Sequence, residues 1–200
     1  LYFPSIKYII KKYGEKAYYK MCICGFLKVR YDYEQSLNFD EKINLNFLID
    51  TREQNVITLP NSQIAKLNYG DYSIEDNPNN IFIERKSLLD FIGTLSSGFD
   101  RLKRELDRCV KDNGYLIMLI EEAYPNLLEF NDRAECRRVK ATPDFIMHRA
   151  RELLTLYPHN LQVLAVNGRI EAARIIKRIF TIKQDIKKVD LQYHYGLGVL

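Results

Sequence analysis

The stretch IFIERKSLLD, Ile81 to Asp90, carries an acid and two bases at the end of an apolar run. Side chains alternate along a strand, so Glu84 and Lys86 share one face and Arg85 takes the other. Two further carboxylates bound neighbouring apolar segments: Asp50 closes INLNFLID and Asp71 opens DYSI. Acids and an ammonium drawn to one place suit a hard divalent cation. Mg2+ takes carboxylate oxygens while keeping several waters, activates a water and offsets charge growing on a phosphate. A nearby ammonium orients that water and adds positive charge at the transition state. An Asp followed after a gap by Glu-x-Lys is therefore a pattern for metal-dependent phosphodiester hydrolysis. The same residues also describe an ordinary ion pair, which contributes little to stability.

Such residues need elements to hold them. Ile43, Leu45, Phe47 and Ile49 alternate with Asn44, Asn46, Leu48 and Asp50, which predicts a strand ending in a carboxylate. LPNSQIAKLNYG predicts a short helix closed by Gly70. DYSIEDNPNNIFIERK predicts two strands joined by the turn cluster Asp76 to Asn80. Ser87-Leu-Leu-Asp90 is a capping box that starts a short helix, so support outranks catalysis as the role of Asp90. SSGFDRLKRELDRCVK predicts a longer helix with Phe99, Leu102, Leu106 and Val110 as its inner stripe.

YLIMLIEE reads as a buried strand, and TPDFIMHRARELLTLY as a helix with Thr142 at the N-cap and Pro143 at N1. LQVLAV predicts another strand and GRIEAARIIKRIF the last helix. Alternating strands and helices indicate an α/β layered domain, assigned to residues 41–182. Residues 1–40 form a Tyr/Lys-rich extension and 183–200 a tail, and neither fits this rhythm.

Bulk properties narrow the classes. The chain has 200 residues and is 46% hydrophobic, which suits a single compact domain with a substantial core. A net charge of +4 permits an anionic partner without requiring one. No apolar run reaches membrane-spanning length, and the opening residues lack the order of a secretory signal. Cys22 and Cys24 are spaced too tightly for a structural zinc site, and Cys109 and Cys136 lie far downstream, so free thiols in a reducing, intracellular compartment are expected. His148, His159 and His194 fit no metal or nucleophile spacing. Glu121 and Glu122 end a strand and are minor candidates for the site.

LIDTREQ, GDY and IERKSLLD, in that order, resemble the nuclease domain of the XPF family of structure-specific endonucleases. The shared pattern is Gly70-Asp71, a gap, Glu84-Arg85-Lys86 and then Asp90, with Asp50, Arg52 and Glu53 upstream. The resemblance implies a restriction-endonuclease-like core, a central mixed β-sheet flanked by helices. It implies a metal site of Asp50, Asp71 and Glu84 holding Mg2+, with Mn2+ substituting, and Lys86 serving the water and the scissile phosphate. Arg85 is needed for activity in the family, yet its side of the strand suits pairing with an acid such as Glu53. Arg52, Glu53 and Asp90 would support the site.

Ser97 and Gly98 at a helix start, with Arg101 and Arg104 on the helix behind, are candidate DNA contacts. Phe99 stands where the family carries a basic residue after the Gly. The partners implied are DNA and a second copy of the chain, with no membrane and no nucleotide cofactor. The few residues after Phe180 cannot form the family's tandem helix–hairpin–helix module, so a stand-alone or excised nuclease domain is expected.

Overall fold

The computed structural model describes residues 37–40 and 42–200. Most of the Tyr/Lys-rich extension, with Cys22 and Cys24, lies outside the described residues. Strand β1 (Phe47–Asp50) buries Phe47 and Ile49 on one face and ends at Asp50. β3 (Tyr72–Ile74) and β4 (Ile81–Lys86) form the expected antiparallel pair. Their turn is closed by Asn77, whose side chain accepts from Ile81 N–H and donates to Ile81 O. The segment after Leu59 is not a helix: Ser62–Ala65 is an edge strand, β2, parallel to β1. Asn61 precedes it at φ 49°, and Ile64 stands 62% exposed, so this short strand buries neither face.

β5 (Tyr115–Ile120) and β6 (Leu161–Ala165) complete a mixed sheet of order β2-β1-β3-β4-β5-β6. β4, β5 and β6 run parallel, and both later strands are buried throughout, as strands covered on two faces must be. On one face lie α1 (Leu88–Leu95), α2 (Phe99–Lys111), the short α3 (Tyr124–Leu127) and α4 (Pro143–Leu156). They pack Phe91, Leu95, Leu106 and Ile146 onto Phe82, Leu116, Met118 and Ile120. The inner stripe of α2 ends on Cys109, with Val110 only half-buried. On the other face α5 (Arg169–Ile179) lays Ala172, Ile175, Ile176 and Ile179 over Ile49, Ile83, Ile117 and Leu119. Each such apolar side chain contributes about 1.5–3 kcal/mol relative to exposure.

The stretch after Lys183, which the sequence rhythm leaves unplaced, adds a short helix α6 (Leu191–Gly196). Gln192 bonds both backbone groups of Ala165 on β6, and Gln162 receives Leu191 N–H. No helix among the described residues is long and apolar enough to cross a membrane.

Candidate active site

Strand register brings the acids to one edge of the sheet. Ile49 pairs with Tyr72, and Tyr72 with Ile83. One step further along, Asp50 N donates to Asp71 O at 2.8 Å and Asp71 N to Ile83 O at 2.8 Å. Asp50, Asp71 and Glu84 therefore occupy adjoining rungs of three neighbouring strands. Residues opposite one another point to one face, and here it is the face away from Ile49, Tyr72 and Ile83, beneath α1 and α2. Gly70 makes this approach possible. It takes φ 63°, and a Cβ there would lie 2.8 Å from Ile83 O.

Lys86 Nζ donates to Glu84 Oε1 at 2.5 Å, both side chains being mostly buried. Asp71 Oδ2 accepts the backbone N–H of Arg85 at 2.8 Å. Burial, and then the charge of Glu84, raise the Asp71 carboxyl to about 7 against that hydrogen bond. Asp50 is bonded differently. Its Oδ1 accepts Arg52 Nε at 2.6 Å and Arg52 N at 2.9 Å, and its Oδ2 accepts Leu67 N at 2.7 Å. Burial opposes its charge, but these donors outweigh burial and hold its carboxyl below the ordinary range.

Among the described residues no three acidic, histidine or cysteine side chains converge closely enough to hold one ion. The expected trio thus stands as a close row rather than a closed cage. The donor set nonetheless suits Mg2+, which commonly takes one or two carboxylates and retains waters. Glu84 makes ionisation of Asp71 costly, and a cation between them would relieve that cost.

Arg85 points to the opposite face. Its guanidinium bonds Glu53 through Nε (3.1 Å) and Nη2 (3.0 Å), and Glu121 through Nη1 (3.0 Å). Burial works against its charge, and Glu53 and Glu121 outweigh burial and keep it protonated. Arg169 at the start of α5 also reaches Glu121, and donates to the carbonyls of Asn55 and Val56. Glu121 is therefore a partner of Arg85, across the sheet from Lys86. Glu122 pairs with Arg133.

Ser87 caps α1 as its spacing predicts, accepting Asp90 N and donating to Asp90 Oδ2 at 2.6 Å. Beside Lys86 a groove of about 480 Å³ runs over the α1–α2 junction. Ser97, Gly98 and Arg101 line it together with Leu89, Asp90, Gly93 and Thr94. Arg104 is exposed on α2 outside that lining, and Lys103 lies over the Phe99 ring. The three histidines are elsewhere: His148 and His159 are exposed, and His194 is buried in α6.

Glu105 on α2 was not singled out by sequence pattern. It is half-buried, and burial and then the charge of Glu84 raise its carboxyl above the ordinary range. The available signal was its place, inside the span of the apolar stripe and next to Leu106.

Among the solved structures similar to this chain are two of one archaeal protein. "XPF from Aeropyrum pernix, complex with DNA" is 20% identical, with a TM-score of 0.46 over 67% of this chain and 62% of that one. "XPF from Aeropyrum pernix" is 19% identical, with a TM-score of 0.48 over 70% of this chain and 68% of that one. The first match therefore spans less than two thirds of that structure's chain. No curated protein matches. The model of the ERCC4 domain matches residues 49–179, from the inner strand β1 to the end of α5. On that match the chain belongs to the ERCC4 domain family, a family of structure-specific DNA nucleases.

Proposed function

We propose that this chain is a Mg2+-dependent endodeoxyribonuclease that hydrolyses phosphodiester bonds in branched or otherwise structured DNA. The observation that carries the reading is Lys86, bonded to Glu84 on the rung next to Asp71 and lining a groove together with Ser97 and Arg101. Asp71 and Glu84 would hold the ion. Asp50, the third expected ligand, would join them through an oxygen now bonded to the chain. A bound Mg2+, or Mn2+ in its place, would supply the charge that activates water and offsets the growing negative charge on the phosphate.

The protein's own part is positional. Lys86, held on Glu84, donates protons toward the attacking water and a phosphate oxygen. Arg85 fixes Asp71 from its backbone while its side chain is locked on the far face. Arg52 braces Asp50, and Asp90 secures the start of α1. The groove receives the strand beside the scissile bond, with Arg101 and the Ser97 hydroxyl meeting phosphate. Arg104 extends that basic face. A homodimer through the later helices fits the exposed Leu156 and Ile170. An intracellular role in DNA repair, recombination or replication follows from such a substrate.

Labelled forks, flaps, four-way junctions and linear duplexes, incubated with and without Mg2+, test the reading. Metal-dependent cleavage of branched substrates supports it. Binding without cleavage in Mg2+ or Mn2+ would make the chain a DNA-binding subunit, and cleavage confined to linear duplex or four-way junctions a restriction-type or resolvase enzyme.

A further inference from the structure

A second groove, of about 370 Å³, opens on the side of the sheet that α5 covers. Thr58 and Leu59 of the β1–β2 connection line it together with Arg174, Lys177, Arg178 and Thr181. Leu59 belongs to the core layer of Ile49, Ile83 and Ile175, whereas the groove beside Lys86 lies on α1 and α2, which pack on the other layer. Arg174 stands three residues from Lys177 and four from Arg178, so like charges share one helix face at a cost. The helix C-terminus favours cations in its last turn, which accounts for Lys177 and Arg178 but not for their meeting Arg174 on a groove. Arg174 is answered by Glu171 at 3.0 Å. Among the described residues neither the exposed Lys177 nor Arg178 forms an ion pair. Neutral groups fix Arg178 instead: its guanidinium lies 3.9 Å from the Phe39 ring centroid, and its Nη2 donates to Val199 O at 2.8 Å. A guanidinium held this way gives up little freedom on meeting a phosphate.

We propose that this groove binds the phosphodiester backbone of a second DNA arm while the first arm lies against Lys86. The inference deepens the branched-DNA reading above by giving that preference a physical source. The two grooves lie on opposite sides of one sheet, so a straight duplex engages one or the other. Arms diverging from a branch point reach both. Lys177 and Arg178 supply uncancelled positive charge, and the exposed Thr58 hydroxyl a donor, for phosphate oxygens. Such contacts position a nucleic acid without reading its sequence.

The test is fluorescence anisotropy of the full chain, without metal, on a labelled fork and a linear duplex of equal length. Lys177→Glu alters an exposed side chain and leaves the core untouched. It is expected to raise the fork Kd about tenfold, to lower the salt slope of fork binding by about one, and to change the duplex Kd less than about twofold. Arg151→Glu makes the same charge change on α4, outside both grooves, and is expected to bind as wild type. An unchanged fork Kd in Lys177→Glu overturns the inference, and so does equal weakening of fork and duplex. Equal weakening by Arg151→Glu also overturns it, because net charge alone would then act. A wild-type protein that binds the fork through Lys177 yet leaves it uncut in Mg2+ overturns the nuclease reading alone. One that binds neither DNA overturns both.

Discussion

The backbone N–H of Arg85 holds Asp71 Oδ2 at 2.8 Å, while the Arg85 side chain crosses to the other face of the sheet and is clamped there by Glu53 and Glu121. One residue thereby couples a buried ion-pair network to the carboxylate expected to meet metal. Removing one member of a buried pair leaves the other charge uncompensated, at about 3–5 kcal/mol. Arg85→Ala should lose that much stability in urea denaturation, and cleavage should fall because the strand whose backbone N–H holds Asp71 loses its anchor on Glu53 and Glu121. Arg85→Lys should recover little, because an ammonium cannot reproduce the fork onto Glu53.

Asp71 sets a pH trend. Its carboxyl is raised to about 7, above the unfolded value of 3.8, by burial and by Glu84. The folded state therefore binds this proton more tightly than the unfolded chain does. The stability it confers is complete below about pH 4 and is lost as pH rises through about 7. Metal-free protein should become less stable between pH 5 and pH 8, and Asp71→Asn should flatten that slope. Mg2+ should also flatten it in the wild type. Thermal unfolding across pH, with and without Mg2+, measures all three.

Two glycines should behave oppositely. Gly70→Ala places a Cβ 2.8 Å from a strand carbonyl at φ 63°, and should destabilise by more than about 1 kcal/mol. Gly93 sits inside α1, where a Cβ meets nothing within 4 Å. Gly93→Ala should therefore stabilise by roughly 0.5–1 kcal/mol. Because Gly93 lines the groove beside Lys86, the same methyl should weaken DNA binding. Chemical denaturation paired with DNA titration would show stability and affinity moving apart.

Ser87 offers a local check. Its hydroxyl caps α1 through Asp90 N, and Ser87→Ala should cost about 1 kcal/mol. Asp90→Asn should keep cleavage close to wild type if Asp90 supports the helix.

These predictions separate what sequence could reveal from what it could not. The β4–α1 junction was legible because its signals are local: alternation places Glu84 and Lys86 together, and Ser87 with Asp90 forms a cap. Arg85 pairing with Glu53 followed from the same alternation. β2 was misread as a helix because an exposed edge strand has no buried face to impose a two-residue period, and Leu59, Ile64 and Leu67 do not alternate. Gly70 reads in sequence as the close of a helix that does not form, and the close approach to Ile83 that demands its left-handed backbone is tertiary. Glu105 stayed hidden because a charged residue on a helix reads as its solvated face. The terminal α6 docks through the side chains of Gln162 and Gln192, which leave no periodic trace.

The central claim is that Asp71 and Lys86 work together on a phosphodiester. The most direct measurement is single-turnover cleavage of a labelled branched DNA in Mg2+ by wild-type, Asp71→Asn and Lys86→Ala proteins, each shown to be folded. Loss of at least about 100-fold in both variants is predicted. Wild-type cleavage rates in either variant, from a preparation free of contaminating nuclease, would contradict it.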